Sequence, residues 1–145
     1  MIYQIVYVSE YSGRSPEEDL QSILTASRHH NPQLEVTGLL LFVRNSFIQV
    51  LEGEETTIRE LYAKIAKDPR HTRLDILLEH QIPQRLFPDW SMAWMPISEA
   101  EFCRIAHIKC CDFETLSTLG NNIVSEILLN FAELQNQANG DGIAH

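Results

Sequence analysis

Residues 39–53 read LLLFVRNSFIQVLEG, two nearly uninterrupted apolar runs on either side of Arg44-Asn45-Ser46. Two such runs joined by a short polar turn predict a β-hairpin, and their continuous hydrophobicity indicates strands that are covered on both faces. Gln49 stands in the middle of the second run. A buried amide left unpaired costs on the order of 1–3 kcal/mol, so Gln49 must find partners, to which it can present either a donor or an acceptor.

The chain has 145 residues, 44% of them hydrophobic, and a net charge of −9 from 11 basic and 20 acidic side chains. This length predicts one domain with a substantial core. The acidic balance argues against binding to nucleic acid or to an anionic membrane, since both depend on basic side chains. No apolar run is long enough to cross a bilayer, and the first residues lack the basic region of a signal peptide. Three cysteines, two of them adjacent, make a poor disulfide framework, so we expect a reducing, cytoplasmic setting.

Outside the hairpin, the hydrophobic pattern alternates between the periods of strands and helices. Ser15-Pro16 with Glu18 predicts a capped helix start, and Asn31-Pro32 predicts the end of that helix. The order βαββαββ predicts a ferredoxin-like α+β sandwich, with two helices on one face of a five-stranded sheet. Later helices either cover the open face of the sheet or pair with another subunit. We expect strands at 2–9, 39–43, 47–51, 74–81 and 90–95, and helices at 16–31, 56–67, 98–107 and 112–135.

Six segments stand out when taken together: YVS at 7–9, SRHHNP at 27–32, TGLLL at 37–41, FIQVLEG at 47–53, LYAKIAKDPRH at 61–71 and FPDWSM at 87–92. In this order and spacing they resemble the BLUF family, the bacterial and algal sensors of blue light that use a flavin. Each segment alone is common, but together they cover about two thirds of the chain and are specific. The resemblance implies a flavin-binding domain at 1–97, a helical cap or output segment at 98–136 and a disordered tail at 137–145.

The resemblance also implies the site. Tyr7 would be the redox-active phenol and Gln49 the switching amide, with Trp90 and Met92 relaying the signal. Which of these last two residues faces Gln49 is left open. The cofactor would be FAD, or else FMN or riboflavin, held without a covalent bond. Residues expected to bind it are Ile23, Ser27, Arg28, His30, Asn31, Gln49, Lys64, Ile65, Asp68, Arg70 and His71.

Within that set, Ile23 and Ile65 would enclose the ring, and Asn31 would hydrogen-bond its carbonyl edge. His30 and Lys64 depart from the commonest residues of the family at these positions, which could alter how the cofactor's edge is held. Glu35 departs as well, since a glycine often stands there.

The function implied is that of a blue-light photoreceptor without catalytic activity or a metal. Light would move an electron and a proton from Tyr7 to the flavin, and Gln49 would change its hydrogen bonds. The fifth strand and the C-terminal helices would then signal to a separate downstream protein or across an interface between copies, since a homo-oligomer is expected.

Parts of the sequence are also compatible with two other functions and with a metal site. A light-independent protein–protein adaptor would act through the amphipathic C-terminal helix alone. An acylphosphatase-like hydrolase would need a phosphate-cradling loop around Arg14, which acidic neighbours crowd. Cys103, His107 and Cys110 offer zinc ligands at a spacing that matches no standard zinc site, and oxidation of the cysteines is another possibility.

Overall fold

A computed structural model describes residues 1–94 and 97–140, which form a five-stranded sheet with strand order β4-β1-β3-β2-β5 and helices on both faces. The hairpin therefore lies inside the sheet, as predicted. In chain order the elements are β1 (Ile2–Tyr11), α1 (Pro16–Leu34), β2 (Thr37–Val43), β3 (Ser46–Gly53), α2 (Glu55–Ala66), β4 (His71–Ile82), β5 (Ala93–Trp94), α3 (Glu99–Ala106), α4 (Phe113–Ser117) and α5 (Asn121–Gly140).

The register of β3 brings the two key side chains together. β1 and β3 run antiparallel with Tyr7 directly opposite Gln49, so both side chains project from the same face of the sheet. The turn between β2 and β3 places Arg44 and Asn45 at positive φ, 53° and 138°. Positive φ at both central residues is typical of two-residue hairpins, whose twist matches that of the strands.

Alternation along β1 divides the apolar residues between two cores. Ile5 and Tyr7 belong to the core under α1 and α2, whereas Val6 and Val8 belong to the core on the opposite face. The predicted ferredoxin-like α+β sandwich, with both early helices on one face, is therefore confirmed. Members of the first core contributed by the helices are Leu20, Leu24 and Ile58.

The C-terminal helices cover the other face of the sheet, which is the first of the two arrangements predicted for them. Their buried side chains pack on the even-numbered residues of β1 and β3, and they include Phe102, Leu116, Val124, Ile127, Leu128 and Phe131. Among the described residues, no helix is long and apolar enough to cross a membrane.

The single helix predicted at 112–135 is wrong, because two helices occupy this part of the chain. α4 ends at Ser117 and α5 starts at Asn121, where the amide of Val124 donates to the carbonyl of Gly120 at 3.0 Å. Glycine within a helix costs close to 1 kcal/mol relative to alanine, which favours a break at Gly120. α5 continues to Gly140, so the tail predicted at 137–145 starts within a helix, and 141–145 lie outside the described residues.

Two other element boundaries differ from the prediction. α1 passes through Pro32 to Leu34, where the amides of Glu35 and Val36 donate to the carbonyls of Pro32 (3.2 Å) and Asn31 (2.9 Å). This Schellman-type end, with Glu35 at a φ of 56°, satisfies the terminal carbonyls, so Pro32 does not end the helix. Of the strand predicted at 90–95, the described residues pair with β2 at Ala93–Trp94, in parallel, whereas Trp90, Ser91 and Met92 lie outside the strand and residue 95 lies outside the described part of the chain.

Candidate functional site

A cavity of about 120 Å³ lies between α1, α2 and the sheet face that carries Gln49. Its lining combines apolar side chains from both helices with polar groups at one edge. The lining residues are Ile23, Ala26, Ser27, Asn31, Leu40, Phe47, Gln49, Leu51, Leu61, Ile65, Asp68, Arg70 and His71. An apolar slot with a few convergent polar atoms is the usual form of a site for a flat organic cofactor.

Eight of the eleven residues predicted to bind the cofactor line this cavity. The other three, Arg28, His30 and Lys64, are exposed and lie outside the lining. The sequence analysis did not identify five of the lining residues. Three of them lie on strands and could have been found: Phe47 and Leu51 alternate with Gln49 along β3, and Leu40 of β2 lies opposite Gln49. The missed residues are Ala26, Leu40, Phe47, Leu51 and Leu61.

Gln49 joins the cavity to a buried phenol. The hydroxyl of Tyr7 donates a hydrogen bond to Gln49 Oε1, and Gln49 Nε2 lies 3.4 Å from Met92 Sδ. Gln49 is 5% exposed and Tyr7 is fully buried. The amide therefore uses both of its ends, with its oxygen towards a strong donor and its nitrogen towards a thioether, which is only a weak acceptor.

Burial fixes the protonation state of Tyr7. Loss of solvent raises the pKa of this phenol well above its ordinary value of 10.0, and the nearby Tyr62 and Asp68 raise it further. The ring of Tyr62 meets that of Tyr7 edge to face, with centroids 5.2 Å apart. Tyr7 thus carries its proton at any physiological pH and acts as the donor towards Gln49.

Three hydrogen bonds hold the segment 90–92 against α1 and β2. Asn31 Nδ2 donates to the carbonyl of Ser91 at 2.6 Å, and Arg28 Nε donates to the carbonyl of Met92 at 3.1 Å. The amide of Gly38 donates to the carbonyl of Trp90 at 2.9 Å. These contacts replace the strand pairing predicted for the same residues. Arg28 thus contacts the segment, and Asn31 contacts both the segment and the cavity.

Trp90 and Met92 are both buried but lie on opposite faces of the sheet. Met92 packs in the core under α1 and α2, beside Gln49, whereas Trp90 packs in the core under the C-terminal helices. The Trp90 ring stacks on Phe87, with centroids 6.2 Å apart and an interplanar angle of 19°. In this structure it is therefore Met92 that faces Gln49.

Charged groups line the end of the cavity nearest α2. Arg70 and Asp68 form an ion pair with NH2 and Oδ2 2.5 Å apart, and the hydrogen bonds from Arg70 hold the pKa of Asp68 below its ordinary value of 3.8. His71 Nδ1 lies 2.7 Å from Ser9 Oγ, and burial lowers the pKa of this imidazole from 6.5. This end of the cavity is polar, but the charge of Arg70 is largely offset by Asp68.

A buried carboxylate behind the site escaped the sequence analysis. Glu52 is fully buried and accepts from Gln4 Nε2 (2.8 Å) and from the amides of Leu86 (3.0 Å) and Phe87 (2.9 Å). Arg85 donates to the backbone carbonyl of Glu52 at 2.8 Å. These bonds attach the loop before segment 90–92 to β3. The available signal was a lone carboxylate in the apolar run FIQVLEG.

The zinc ligands considered from the sequence do not converge. His107 ends α3 with a φ of 58°, and its Nε2 lies 4.0 Å from Glu126 Oε2. Cys110 Sγ donates to a neighbouring carboxylate, while Cys103 lies against Cys111 instead. The chain reversal at His107 brings this different pair together.

A larger depression of about 650 Å³ lies elsewhere, between the start of α1 and the sheet edge. It is lined by Glu17, Glu18, Phe42 and the partly exposed Trp94, among others, and by no residue of the predicted site. Its two carboxylates, Glu17 and Glu18, are poorly suited to the phosphate that FAD and FMN carry, and the depression is open to solvent. The smaller cavity at Gln49 is therefore the candidate site.

Comparison with models of protein families matches residues 2–93 to BLUF, described as sensors of blue-light using FAD. Similar curated proteins include photoactivated adenylate cyclase subunit beta of Euglena longa, 36% identical over 91 residues. Another is the blue light- and temperature-regulated antirepressor BluF of Escherichia coli (strain K12), 33% identical over 87 residues. The matches take in 61% and 60% of this chain but only 10% and 22% of those proteins, so the chain spans a small part of their length.

Solved structures extend the likeness beyond the sheet. BlrB, described as a BLUF protein in its dark state, is 32% identical with a TM-score of 0.76, covering 91% of this chain and 96% of that one. BlsA in its ground state is 27% identical with a TM-score of 0.78, covering 91% and 88%. Because 91% of this chain is matched, the shared architecture includes C-terminal helices as well as the sheet.

Proposed function

Because the chain belongs to the BLUF family, the sensors of blue light using FAD, we propose that it holds a flavin between α1 and α2 and responds to light through Tyr7 and Gln49. The supporting observation is the hydrogen bond from Tyr7 to Gln49, at a point where Gln49 also lines the cavity. This amide links a buried electron donor to the proposed ring site.

The lining supports a flat ring with hydrogen-bonding atoms along its rim. Ile23 of α1 and Ile65 of α2 line the cavity from the two helices, while Asn31 and Gln49 supply amides that both donate and accept. Small-molecule sites have volumes of about 300–1,000 Å³, so the slot of about 120 Å³ must widen, with α1 and α2 moving apart, to admit three fused rings.

A bound flavin supplies an electron acceptor when it absorbs blue light. Tyr7 would be the residue that supplies the electron, and its phenol proton would move along the existing hydrogen bond towards Gln49 Oε1. Burial raises the pKa of the Tyr7 phenol, so Tyr7 holds its proton before the light reaction and can donate it to Gln49. Tyr7 would also be the residue that takes the electron and the proton back.

Gln49 stores the result as a new arrangement of its hydrogen bonds. At present its nitrogen faces the thioether of Met92, 3.4 Å away. Because sulfur is a weak acceptor, leaving this contact costs the amide little. Reversal of the amide would place Nε2 towards the Tyr7 oxygen, which would then accept, and Oε1 towards the cavity and Met92, which gives the site two distinct hydrogen-bond arrangements.

Segment 90–92 then carries the change across the sheet. Met92 senses Gln49 on one face, and Trp90 lies on the other face within the core shared with the C-terminal helices. Asn31 ties the same segment to the edge of the cavity. A shift of Met92 therefore reaches those helices through a short stretch of backbone.

We further propose that the chain has no catalytic activity of its own and signals by association, either with a second copy or with a separate protein. Such a change should be visible as a light-dependent elution volume in size-exclusion chromatography.

FAD is the proposed cofactor, with FMN and riboflavin as alternatives that extraction and chromatography distinguish. Arg70 would meet an anionic tail only if its ion pair with Asp68 opened. Arg28, His30 and Lys64 would reach such a tail from outside the present lining. A cytoplasmic location stays a prediction from the cysteine pattern.

The test is an absorption spectrum of the FAD-loaded protein before and after blue light. We expect a small shift to the red that reverts in darkness. Tyr7→Phe and Gln49→Leu should each abolish the shift while leaving flavin bound, because neither removes a wall of the cavity. Tyr3→Phe is the matched control: Tyr3 lies on the same strand, and its hydroxyl contacts Glu79 at the far edge of the sheet.

The results distinguish an error in the cavity assignment from an error in the roles of Tyr7 and Gln49. A protein that takes up none of the three flavins would refute the cavity assignment. A Tyr7→Phe variant that binds flavin and still shifts would refute the role of the pair while leaving the cavity intact.

A further inference from the structure

Two thiols meet beneath the C-terminal helices, away from the proposed flavin site. Cys103 on α3 and Cys111 in the following segment have their sulfurs 3.2 Å apart. His107 adopts a left-handed conformation and the amide of Ile108 donates to the carbonyl of Cys103 at 3.0 Å. This reversal runs the chain back along α3, and a local backbone motif thereby creates the contact.

The pair is asymmetric in exposure. Cys111 is fully buried, whereas Cys103 is partly exposed. Burial, with the hydrogen bond to Cys103 as a second cause, raises the pKa of the Cys111 thiol above its ordinary value. Since thiolate is the reactive form and needs access to the reagent, Cys103 is the thiol that meets an oxidant first.

A carboxylate completes the cluster but already has partners. Glu99, Cys103 and Cys111 each offer a ligand atom within 4.8 Å of the others, which raises the question of a metal. Glu99 Oε2, however, accepts from the amide of Cys111 at 3.0 Å and lies 3.5 Å from Arg44 NH1. Two thiolates on one tetrahedral zinc ion stand roughly 3.8 Å apart, farther than these sulfurs. The spacing therefore favours a sulfur–sulfur bond over a metal.

We propose that Cys103 and Cys111 form a peroxide-sensitive pair that closes to an intramolecular disulfide. Hydrogen peroxide oxidises the Cys103 sulfur by two electrons: an S–O bond forms, the O–O bond breaks and water leaves. Cys111 then attacks that sulfur, the S–S bond forms and the S–O bond breaks. The departing hydroxide takes the Cys111 proton and leaves as a second water. The sulfurs need to approach by about 1.2 Å to reach the bond length of about 2.05 Å.

The experiment treats the full reduced chain with hydrogen peroxide, then alkylates it under denaturing conditions and measures intact mass. We expect the wild type to lose two of its three alkylatable thiols and roughly 2 Da before alkylation. Cys110→Ser is the matched control and should lose both of its thiols, because Cys110 Sγ bonds to Asp112 and stands outside the pair. Cys103→Ser and Cys111→Ser should form no internal disulfide.

Tryptic mapping identifies the bond without relying on the variants that remove it. Trypsin cuts after Arg104 and after Lys109, which separates Cys103 from Cys111. In the Cys110→Ser chain, a cross-linked peptide can therefore contain only the proposed pair. A disulfide through Cys110, disulfide-linked dimers, three thiols that stay alkylatable, or one tightly held zinc per chain would each overturn the proposal. None of these readouts needs a flavin.

Discussion

Replacing Glu52 by glutamine tests whether a buried carboxylate holds the loop that leads to segment 90–92. Glu52 accepts three hydrogen bonds through two oxygens, from Gln4 Nε2, the amide of Leu86 and the amide of Phe87. Glutamine keeps the shape but substitutes an NH2 group for one oxygen. At least one buried N–H must then face another donor.

The cost follows from those contacts. Leaving a buried donor unsatisfied costs about 1–3 kcal/mol, and the bonds that remain to the new amide oxygen lose their charge assistance, while removal of a buried charge offsets part of this. We expect Glu52→Gln to lower the free energy of unfolding by about 2 kcal/mol, roughly 30-fold in the folding equilibrium. Such a loss leaves the domain folded, which alanine, with three orphaned donors, does not guarantee.

Urea unfolding followed by circular dichroism measures the change. With a denaturant slope near 2 kcal/mol/M, the midpoint should fall by roughly 1 M. Glu55→Gln is the control, since Glu55 pairs with Arg59 on the surface at 2.8 Å and should cost no more than about 0.5 kcal/mol. If the two variants were equally stable, Glu52 would not anchor the loop and our account of this network would be refuted.

Two further predictions concern the frame of the site. Gly38→Ala should lower the free energy of unfolding by about 3 kcal/mol, because a Cβ at Gly38 would lie 1.9 Å from the carbonyl oxygen of Val50. Gly120→Ala is the control and should leave the free energy of unfolding unchanged, because a Cβ there would meet no atom within 4 Å. Equal urea midpoints for the two variants would contradict this prediction. Burial lowers the pKa of His71 below 6.5, so the unfolded chain takes up this proton first and stability should fall as the pH drops below about 6.5. His71→Gln should flatten that fall, and parallel curves for wild type and variant would argue against it.

The sequence was sufficient for the parts of the fold that depend on periodicity. The continuous apolar runs at 39–43 and 47–51 placed Gln49 in a hairpin covered on both faces, and the structure adds that β1 pairs with this hairpin so that Tyr7 lies opposite Gln49. The family resemblance supplied their roles, which periodicity cannot.

Contacts made by long-range hydrogen bonds could not be predicted in this way. Nothing in the local pattern shows that Asn31 and Arg28 hold segment 90–92, or that this segment lies outside β5. The same holds for the buried acceptor role of Glu52. The zinc site considered from the sequence was wrong because the left-handed turn at His107 brings Cys111, and not Cys110, close to Cys103.

The attachment of β5 has a consequence for the molecule in darkness. Among the described residues, which reach Trp94 on this strand, β5 pairs with β2 at Leu39↔Ala93 and Leu40↔Trp94, and it stands at the edge of the sheet. Regions with few backbone bonds open at a small fraction of the global unfolding free energy, so we expect this edge to open before the interior strands do. The proposed signal runs through this edge, so its opening in darkness would give a background output before any photon arrives, and the strength of the pairing between β5 and β2 would set how low that background can be.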